Sequence, residues 1–139
     1  MTDFSEIQIA LDSRLNQMPT QIAIAWENTQ FTPVKDQPWA RPTVMNGPSS
    51  TVNITNGNIL RPGIYQVDLF YPSGKGTKDL MNKLDELFTL FKDSPYLTVG
   101  ETTVIVRSIS ITKKSIDTIW VTASLKIIFE SYDGMLIAI

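Results

Sequence analysis

The chain has 139 residues, with 12 basic and 14 acidic side chains, a formal net charge of −2, and no cysteine or histidine. Without thiolates and imidazoles it lacks the usual zinc ligands, and neither a Ser–His nor a Cys–His nucleophile can be built. The slight acidic excess disfavours binding to duplex DNA, so we expect no specific nucleic acid binding.

The composition indicates one soluble domain spanning residues 1–139, made in a reducing compartment. The first four residues carry no basic segment that leads into an apolar run, so no signal peptide is expected. The most apolar stretch, between Ile119 and Phe129, is interrupted by polar residues, so no membrane span is expected. We predict no catalytic residue, cofactor or metal ligand.

The first predicted element is an amphipathic helix from residue 3 to about residue 18, which Pro19 ends. Asp3 can cap this helix, with Glu6 three residues later. Apolar residues recur at helical spacing and predict the buried face: Phe4, Ile7, Leu11, Leu15 and Met18.

A half-buried strand is predicted at residues 21–26, followed by a long proline-rich arm at about residues 27–50. The four prolines of the arm forbid a continuous helix or a central strand, so we expect at most a short edge strand at residues 41–45. The arm carries Trp39 and Arg41, which are residue types favoured at protein interfaces. We predict that they contact a partner; in an isolated subunit Trp39 would instead fold back onto the sheet.

The next segment is rich in strand signals. Asn56-Gly57 predicts a hairpin turn between strands at residues 51–55 and 59–61, and Pro62-Gly63 predicts a second turn or bulge. A longer strand is predicted at residues 64–71, where apolar residues form one continuous row.

Residues 73–77, Ser-Gly-Lys-Gly-Thr, look like the end of a phosphate-binding P-loop. Such a loop needs a glycine five residues before the Gly-Lys pair, where this chain has Leu69. The two glycines are explained by the backbone angles of a solvated turn. The alternative is a phosphate held at a helix N-terminus by backbone N–H groups and Lys75.

A second amphipathic helix is predicted at residues 77–91, ended by Ser94-Pro95. Asp79 and Glu86 share a face with Lys83 between them, which predicts a charge-paired, solvated surface rather than a cation site. The apolar stripe consists of Leu80, Met81, Leu84, Leu87, Phe88 and Phe91.

Two long strands, at residues 102–111 and 118–132, are predicted to form an antiparallel hairpin through a polar turn at residues 112–117. Alternate residues from Ile119 to Phe129 form an unbroken apolar row in the second strand. Lys113 and Lys114 make the turn basic, which either keeps a hairpin tip soluble or meets an acidic partner surface. After a turn at residues 133–134 comes an apolar tail, which we expect to be covered by this subunit or by a neighbour.

This order of elements predicts an α+β fold, a mostly antiparallel β-sheet with two amphipathic helices packed on one face. The candidate interface residues lie in the arm, the glycine turn, the basic tip and the tail: Trp39, Arg41, Lys75, Lys113, Lys114, Met135, Leu136 and Ile137.

The layout resembles the tail-terminator, or tail-completion, proteins of long-tailed bacteriophages over most of the chain. The resemblance is carried by the two helices and by the segments between them: Ile22-Ala23-Ile24-Ala25-Trp26-Glu27-Asn28, Phe31-Thr32-Pro33, Trp39-Ala40-Arg41-Pro42, Gly63-Ile64-Tyr65-Gln66-Val67-Asp68 and Tyr71-Pro72-Ser73-Gly74-Lys75-Gly76.

The resemblance implies a structural virion protein, not an enzyme, whose copies form a homo-oligomeric, hexameric ring on the head-proximal end of the tail tube. Such a ring ends tube polymerisation and provides the head-attachment surface. The implied partners are further copies of the chain, the tail tube protein and the head–tail connector protein, with assembly in the host cytoplasm.

Two alternatives stay open. The first is another head–tail connector or minor tail subunit, which would share the assembly logic but not the position. The second is a nucleotide-binding protein that uses residues 73–77 and Lys75.

Overall fold

The computed structural model describes residues 4–47, 50–53 and 58–133, with side chains described at residues 4–47 and 60–131. Within these residues the chain forms two helices and eight strands. In chain order they are α1 (Phe4–Leu15), β1 (Ala23–Ile24), β2 (Trp39–Asn46), β3 (Ser50–Asn53), β4 (Asn58–Pro72), α2 (Lys78–Lys92), β5 (Tyr96–Val99), β6 (Thr102–Ile111), β7 (Ser115–Ile116) and β8 (Trp120–Asp133).

All eight strands belong to one mostly antiparallel sheet in the order β1-β2-β4-β8-β6-β5. The two longest strands, β4 and β8, form its centre and pair from Ile59 opposite Asp133 to Pro72 opposite Trp120. Beyond the ends of β2 and β6, the short strands β3 and β7 pair with β4 and β8. Among the described strands, only β1 and β2 run parallel.

The core lies between the two helices and one face of this sheet, which confirms the predicted α+β architecture. Successive side chains of a strand point to opposite faces, so alternate residues of β4, β6 and β8 reach the core. Removing such side chains from water is the main stabilising term of the fold. The core residues include Ile7, Leu11 and Leu15 of α1, Leu80, Leu84, Leu87 and Phe91 of α2, and Tyr65, Val67, Leu69, Val104, Leu125, Ile127 and Phe129 of the sheet.

The first helix is shorter than predicted. α1 ends at Leu15, and a turn continues to Met18, which is nevertheless buried. Phe4 was expected on the buried face but is 46% exposed, because its ring lies under the guanidinium of Arg61 rather than in the core. The predicted cap, Asp3, lies outside the described residues.

The proline-rich arm contains a longer strand than predicted, and that strand is not at the edge along its whole length. β2 pairs with β4 on one side, while Trp39 and Ala40 pair with β1 on the other. Pro42 has no N–H to donate. It is tolerated because its nitrogen faces the side of β2 that β1, which pairs only with Trp39 and Ala40, leaves unpaired. On that same side, Ala40 accepts the N–H of Ala25, and Val44 donates to Glu27 Oε1 at 2.6 Å.

The predicted turn or bulge at Pro62-Gly63 is wrong, because both residues lie within the continuous strand β4. Pro62 sits where the partner of β4 changes from β2 to β3, and its carbonyl accepts the N–H of Gly47 at 2.8 Å. Pro62 has no N–H to return to Gly47, and it lies where the ladder with β2 ends and the ladder with β3 begins. The hairpin pairing of β3 with β4 agrees with the prediction, although the Asn56-Gly57 turn itself lies outside the described residues.

Several further boundaries differ. The predicted strand at residues 21–26 is reduced to the two residues of β1, and strand β5 was not predicted at all. The polar turn at residues 112–117 contains β7, which pairs with β8. Ile119 breaks the predicted apolar row, because it precedes β8 and is 66% exposed.

Candidate interaction surfaces

The face of the sheet opposite the helices carries a polar network at its centre. Arg41 of β2, Asp68 of β4 and Ser124 of β8 lie side by side in the register of the sheet. The Arg41 guanidinium is 3.1 Å from Asp68 Oδ2, and Asp68 Oδ1 accepts hydrogen bonds from Gln66 Nε2 at 2.8 Å and from the Ser124 hydroxyl. These partners allow a carboxylate that is only 9% exposed to stay on this face.

An aromatic cluster adjoins this network. Trp39 stacks on Phe70 with ring centroids 3.9 Å apart and an interplanar angle of 6°, and it meets Trp120 edge-on at 6.0 Å. Phe31, from the loop before β2, covers Trp39 at 5.1 Å. The indole N–H of Trp39 is buried and has no hydrogen-bond acceptor within the described part of the chain.

Trp39 and Arg41 are therefore brought together on one face, but they differ in accessibility. Trp39 is buried in the packing of its own subunit, whereas the Arg41 side chain is 53% exposed and lies 5.0 Å over the Phe70 ring. Arg41 can reach a partner as the subunit stands. Trp39 could contact a partner only if Phe31, which covers it, moved away.

The turn before α2 places Lys75 in solvent. Gly74 and Gly76 have φ angles of 86° and 79°, which side-chain-bearing residues rarely adopt, and a Cβ at either position would meet open space. The glycines are thus explained by backbone conformation. The turn is tied to the segment before β8, because Ser73 donates its N–H to Ile119 and its hydroxyl to the carbonyl of Asp117.

The basic tip lies between β6 and β8, and both Lys113 and Lys114 are exposed there. Arg107, the nearest arginine of β6, forms an ion pair with Glu130 and lies further along the sheet. The remaining predicted interface residues, Met135, Leu136 and Ile137, lie outside the described residues.

A buried lysine lies near the C-terminal end of α1, which corrects the expected solvated face of α2. Lys83 is 5% exposed, and its ammonium group donates to Glu86 at 2.6 Å and to the carbonyl of Thr20. The predicted charge pairing of Lys83 is present, but within the fold rather than on its surface. The sequence could not indicate this, because Thr20 and the nearby Met18 come from a distant segment.

A second buried polar site joins α1 to the sheet. The Tyr65 hydroxyl donates to Asp12 Oδ1 at 2.5 Å, beside a pocket of about 290 Å³ that Glu27 also lines. Burial raises the pKa of Asp12 above 3.8, although hydrogen bonds from Tyr65 and Gln8 lower it. Burial and the nearby Asp12 also raise the pKa of Tyr65. The sequence gives no sign of this site, since Asp12 has no recognisable partner among its neighbours along the chain.

Across the described residues, no set of three or more acidic side chains is placed to hold a metal ion. None of the described helices combines the length and apolar character needed to span a membrane. The described residues offer side chains suited to contact with other proteins: the half-exposed Arg41 on the sheet face opposite the helices, the basic tip and the exposed turn before α2.

Comparison with known structures shows the same fold elsewhere. One solved structure superposes with a TM-score of 0.77 at 23% sequence identity, covering 94% of this chain and 96% of its own. No curated protein sequence matches the chain.

Comparison with protein families identifies the chain more specifically. The family model for phage tail terminator proteins matches residues 6–129, which spans α1 through Phe129 of β8 and thus both helices and the centre of the sheet. This agrees with the resemblance seen in the sequence. The chain belongs to the phage tail terminator protein family, and its role is a structural one in the phage tail.

Proposed function

We propose that this protein acts as one domain that caps the head-proximal end of the tail tube as a hexameric ring, ends polymerisation of the tube and provides the surface for head attachment. The observation that carries the proposal is the family match over residues 6–129. Within the described residues, the sheet face opposite the helices and the basic tip offer separate contact surfaces, as an assembly protein with three kinds of neighbour requires. Those neighbours are further copies of itself, the tail tube protein and the connector protein.

The test is a phage in which production of this protein is blocked by a stop codon. A terminator ends a polymer, so its loss should give tails longer than the wild type and without heads, as seen by electron microscopy. Supplying the protein from a plasmid should restore normal length. Tails of normal length joined to heads in its absence would contradict the proposal.

Another head–tail connector or minor tail subunit is the main alternative. It would also join the virion, but it would not set tube length. Tails of normal length that lack heads would therefore favour a connector. Mass measurement and electron microscopy of the purified protein then ask whether closed hexamers form. A closed ring is what a terminator needs, since an interface that does not close produces a filament.

A nucleotide-binding role is disfavoured by the turn at residues 73–77. The position of the first P-loop glycine is Leu69, which is fully buried in the core. We expect no heat of binding when ATP or GTP with magnesium is titrated into the protein. Micromolar binding that Lys75→Ala abolishes would revive the nucleotide-binding alternative.

A further inference from the structure

The segment between β6 and β8 exposes an unusual combination of side chains. We call residues 112–119 the tip. Every residue from 113 to 119 is exposed, and Ile116 and Ile119 are 72% and 66% exposed. Lys113 and Lys114 accompany them and form no ion pair with the described residues. Exposed aliphatic side chains beside unpaired lysines are typical of a surface that a partner covers.

A groove of complementary character lies on the helical side of the molecule. It has a volume of about 640 Å³ and lies between the end of α1, from Arg14 to Pro19, and the stretch from Asn82 of α2 to Ser94. Pro19 and Leu90 give it apolar surface, while Asp85 and Asp93 are exposed and form no ion pair within the described ranges. We call it the α1–α2 groove.

The charge of the groove is acidic overall. Of its three carboxylates, that of Glu86 is already paired with Lys83, so those of Asp85 and Asp93 are left against a single guanidinium. That guanidinium belongs to Arg14, whose Nη1 donates to the carbonyl oxygens of Leu90 at 3.3 Å and Ser94 at 3.0 Å. The groove therefore favours a partner that presents positive charge together with aliphatic side chains.

The tip is held at the start of α2, whereas the groove lies further along that helix. Hydrogen bonds from Ser73 to Ile119 and Asp117 hold the tip beside the turn at which α2 begins. Asp85 and Asp93 lie 8 and 16 residues beyond Thr77, which is roughly 12–24 Å along a helix that rises 1.5 Å per residue. This separation favours a tip from another copy of the chain as the occupant of the groove.

We propose that the tip of one subunit docks in the α1–α2 groove of the next, with Lys113 and Lys114 facing Asp85 and Asp93. Because the two surfaces are different, the contact is heterologous and repeats from subunit to subunit. The proposal deepens the proposed function, since a repeating contact of this kind is what closes a ring. The proposed occupant of the groove is a second copy of this chain. If the cross-linking tests fail, a basic segment of the tube or connector protein becomes the alternative occupant.

The first test uses the absence of native cysteine. A variant with Ile116→Cys in the tip and Thr89→Cys in the groove is oxidised at high protein concentration. Disulfides between copies should produce a ladder of covalent dimers, trimers and higher species on a denaturing gel. The matched control pairs Ile116→Cys with Gln30→Cys, an exposed position outside the groove. A ladder no stronger than that of the control would overturn the proposal.

The second test reverses the charges in the Ile116→Cys, Thr89→Cys background. Changing both tip lysines to glutamate, or both Asp85 and Asp93 to lysine, should lower the cross-linking rate at least tenfold. Mixing the two variants should restore it, because every contact in the mixture can again join opposite charges. Failure of the mixture to recover, while thermal melting shows both variants folded, would also overturn the proposal.

The outcomes separate this contact from the function on which it rests. If cross-linking fails but the blocked phage makes overlong tails, the protein is a terminator whose copies meet elsewhere. If cross-linking succeeds but tail length is normal, the contact holds and the terminator role does not.

Discussion

At the scale of single residues, the centre of the sheet depends on one glycine. A Cβ on Gly63 would lie 2.5 Å from Phe129 Cζ and 2.7 Å from the Met45 carbonyl oxygen. Both distances are shorter than real contacts allow, and one of the two obstacles is backbone. Gly63 is required because β2 and β8 approach β4 so closely here.

We expect Gly63→Ala to lower the free energy of unfolding by about 1–3 kcal/mol or more, as overpacking does. Gly47→Ala is the matched control, because a Cβ there would meet nothing nearer than 3.4 Å. Its effect should stay below about 1 kcal/mol. Urea denaturation of the two variants measures both, and equal effects would contradict the packing argument.

Asp12 should make stability depend on pH. Since burial raises its pKa above 3.8, the folded state holds its proton at pH values where the unfolded state has lost it. The free energy of unfolding therefore falls as the pH rises from about 3.8 through the folded pKa. Asp12→Asn removes this titration while keeping an oxygen that can accept the Tyr65 hydroxyl.

The measurement is the free energy of unfolding as a function of pH. Relative to wild type, Asp12→Asn should gain stability as the pH rises through this range. Ser13→Ala, an exposed neighbour that does not titrate, should follow the wild-type slope. If the free energies of unfolding of Asp12→Asn and wild type differed by the same amount at all pH values, the folded state would not raise the pKa of Asp12.

At the scale of elements, α2 packs on β4, β6 and β8, the strands at the middle of the sheet. Leu84 is fully buried in the core between α1, α2 and the sheet, whereas Met81 on the same helix is 36% exposed. The helix was predicted from its apolar stripe. In the structure Met81, which belonged to that stripe, lies on the exposed side of the helix. Lys83 joins the buried side instead, held by Glu86 and Thr20.

Leu84→Ala should lower the free energy of unfolding by about 2–5 kcal/mol, because it removes buried apolar surface and leaves a cavity. Met81→Ala should cost under about 1 kcal/mol. Thermal or chemical denaturation tests the pair. An unchanged melting temperature for Leu84→Ala would mean that α2 does not pack as described.

At the scale of the whole molecule, one sheet face is covered by helices and the other carries side chains of mixed character. Its aromatic part is closed by contacts within the subunit, and its polar part includes the half-exposed Arg41. The sequence placed Trp39 and Arg41 in one predicted interface. The structure indicates that a change at Trp39 acts on folding stability, whereas a change at Arg41 acts on contact with a partner.

Trp39→Ala should lower folding stability by about 3–5 kcal/mol, since its ring stacks on Phe70. Arg41→Ala should cost only about 0–1 kcal/mol, because the ion pair is half-exposed and Asp68 keeps its bonds from Gln66 and Ser124. If this face contacts a partner, Arg41→Ala should reduce ring formation or phage yield while the melting temperature holds. Normal assembly of Arg41→Ala would place the contacts elsewhere.

The sequence by itself determined the features that depend on neighbours along the chain. Periodicity identified both helices and the long strands β6 and β8, and the missing glycine at Leu69 argued against a P-loop. The absence of cysteine and histidine narrowed the chemistry, and the order of segments led to the correct family.

Only the tertiary structure decided the features that depend on residues far apart in the chain. Asp68 takes its partners from 27 residues before it and 56 residues after it, and the buried Lys83 meets a carbonyl 63 residues away. Pro62 and Gly63 looked like a turn because their local preferences favour one. They lie within a strand because the pairing of β4 with β8 continues through them, and the sum of these pairings outweighs the preferences of two residues.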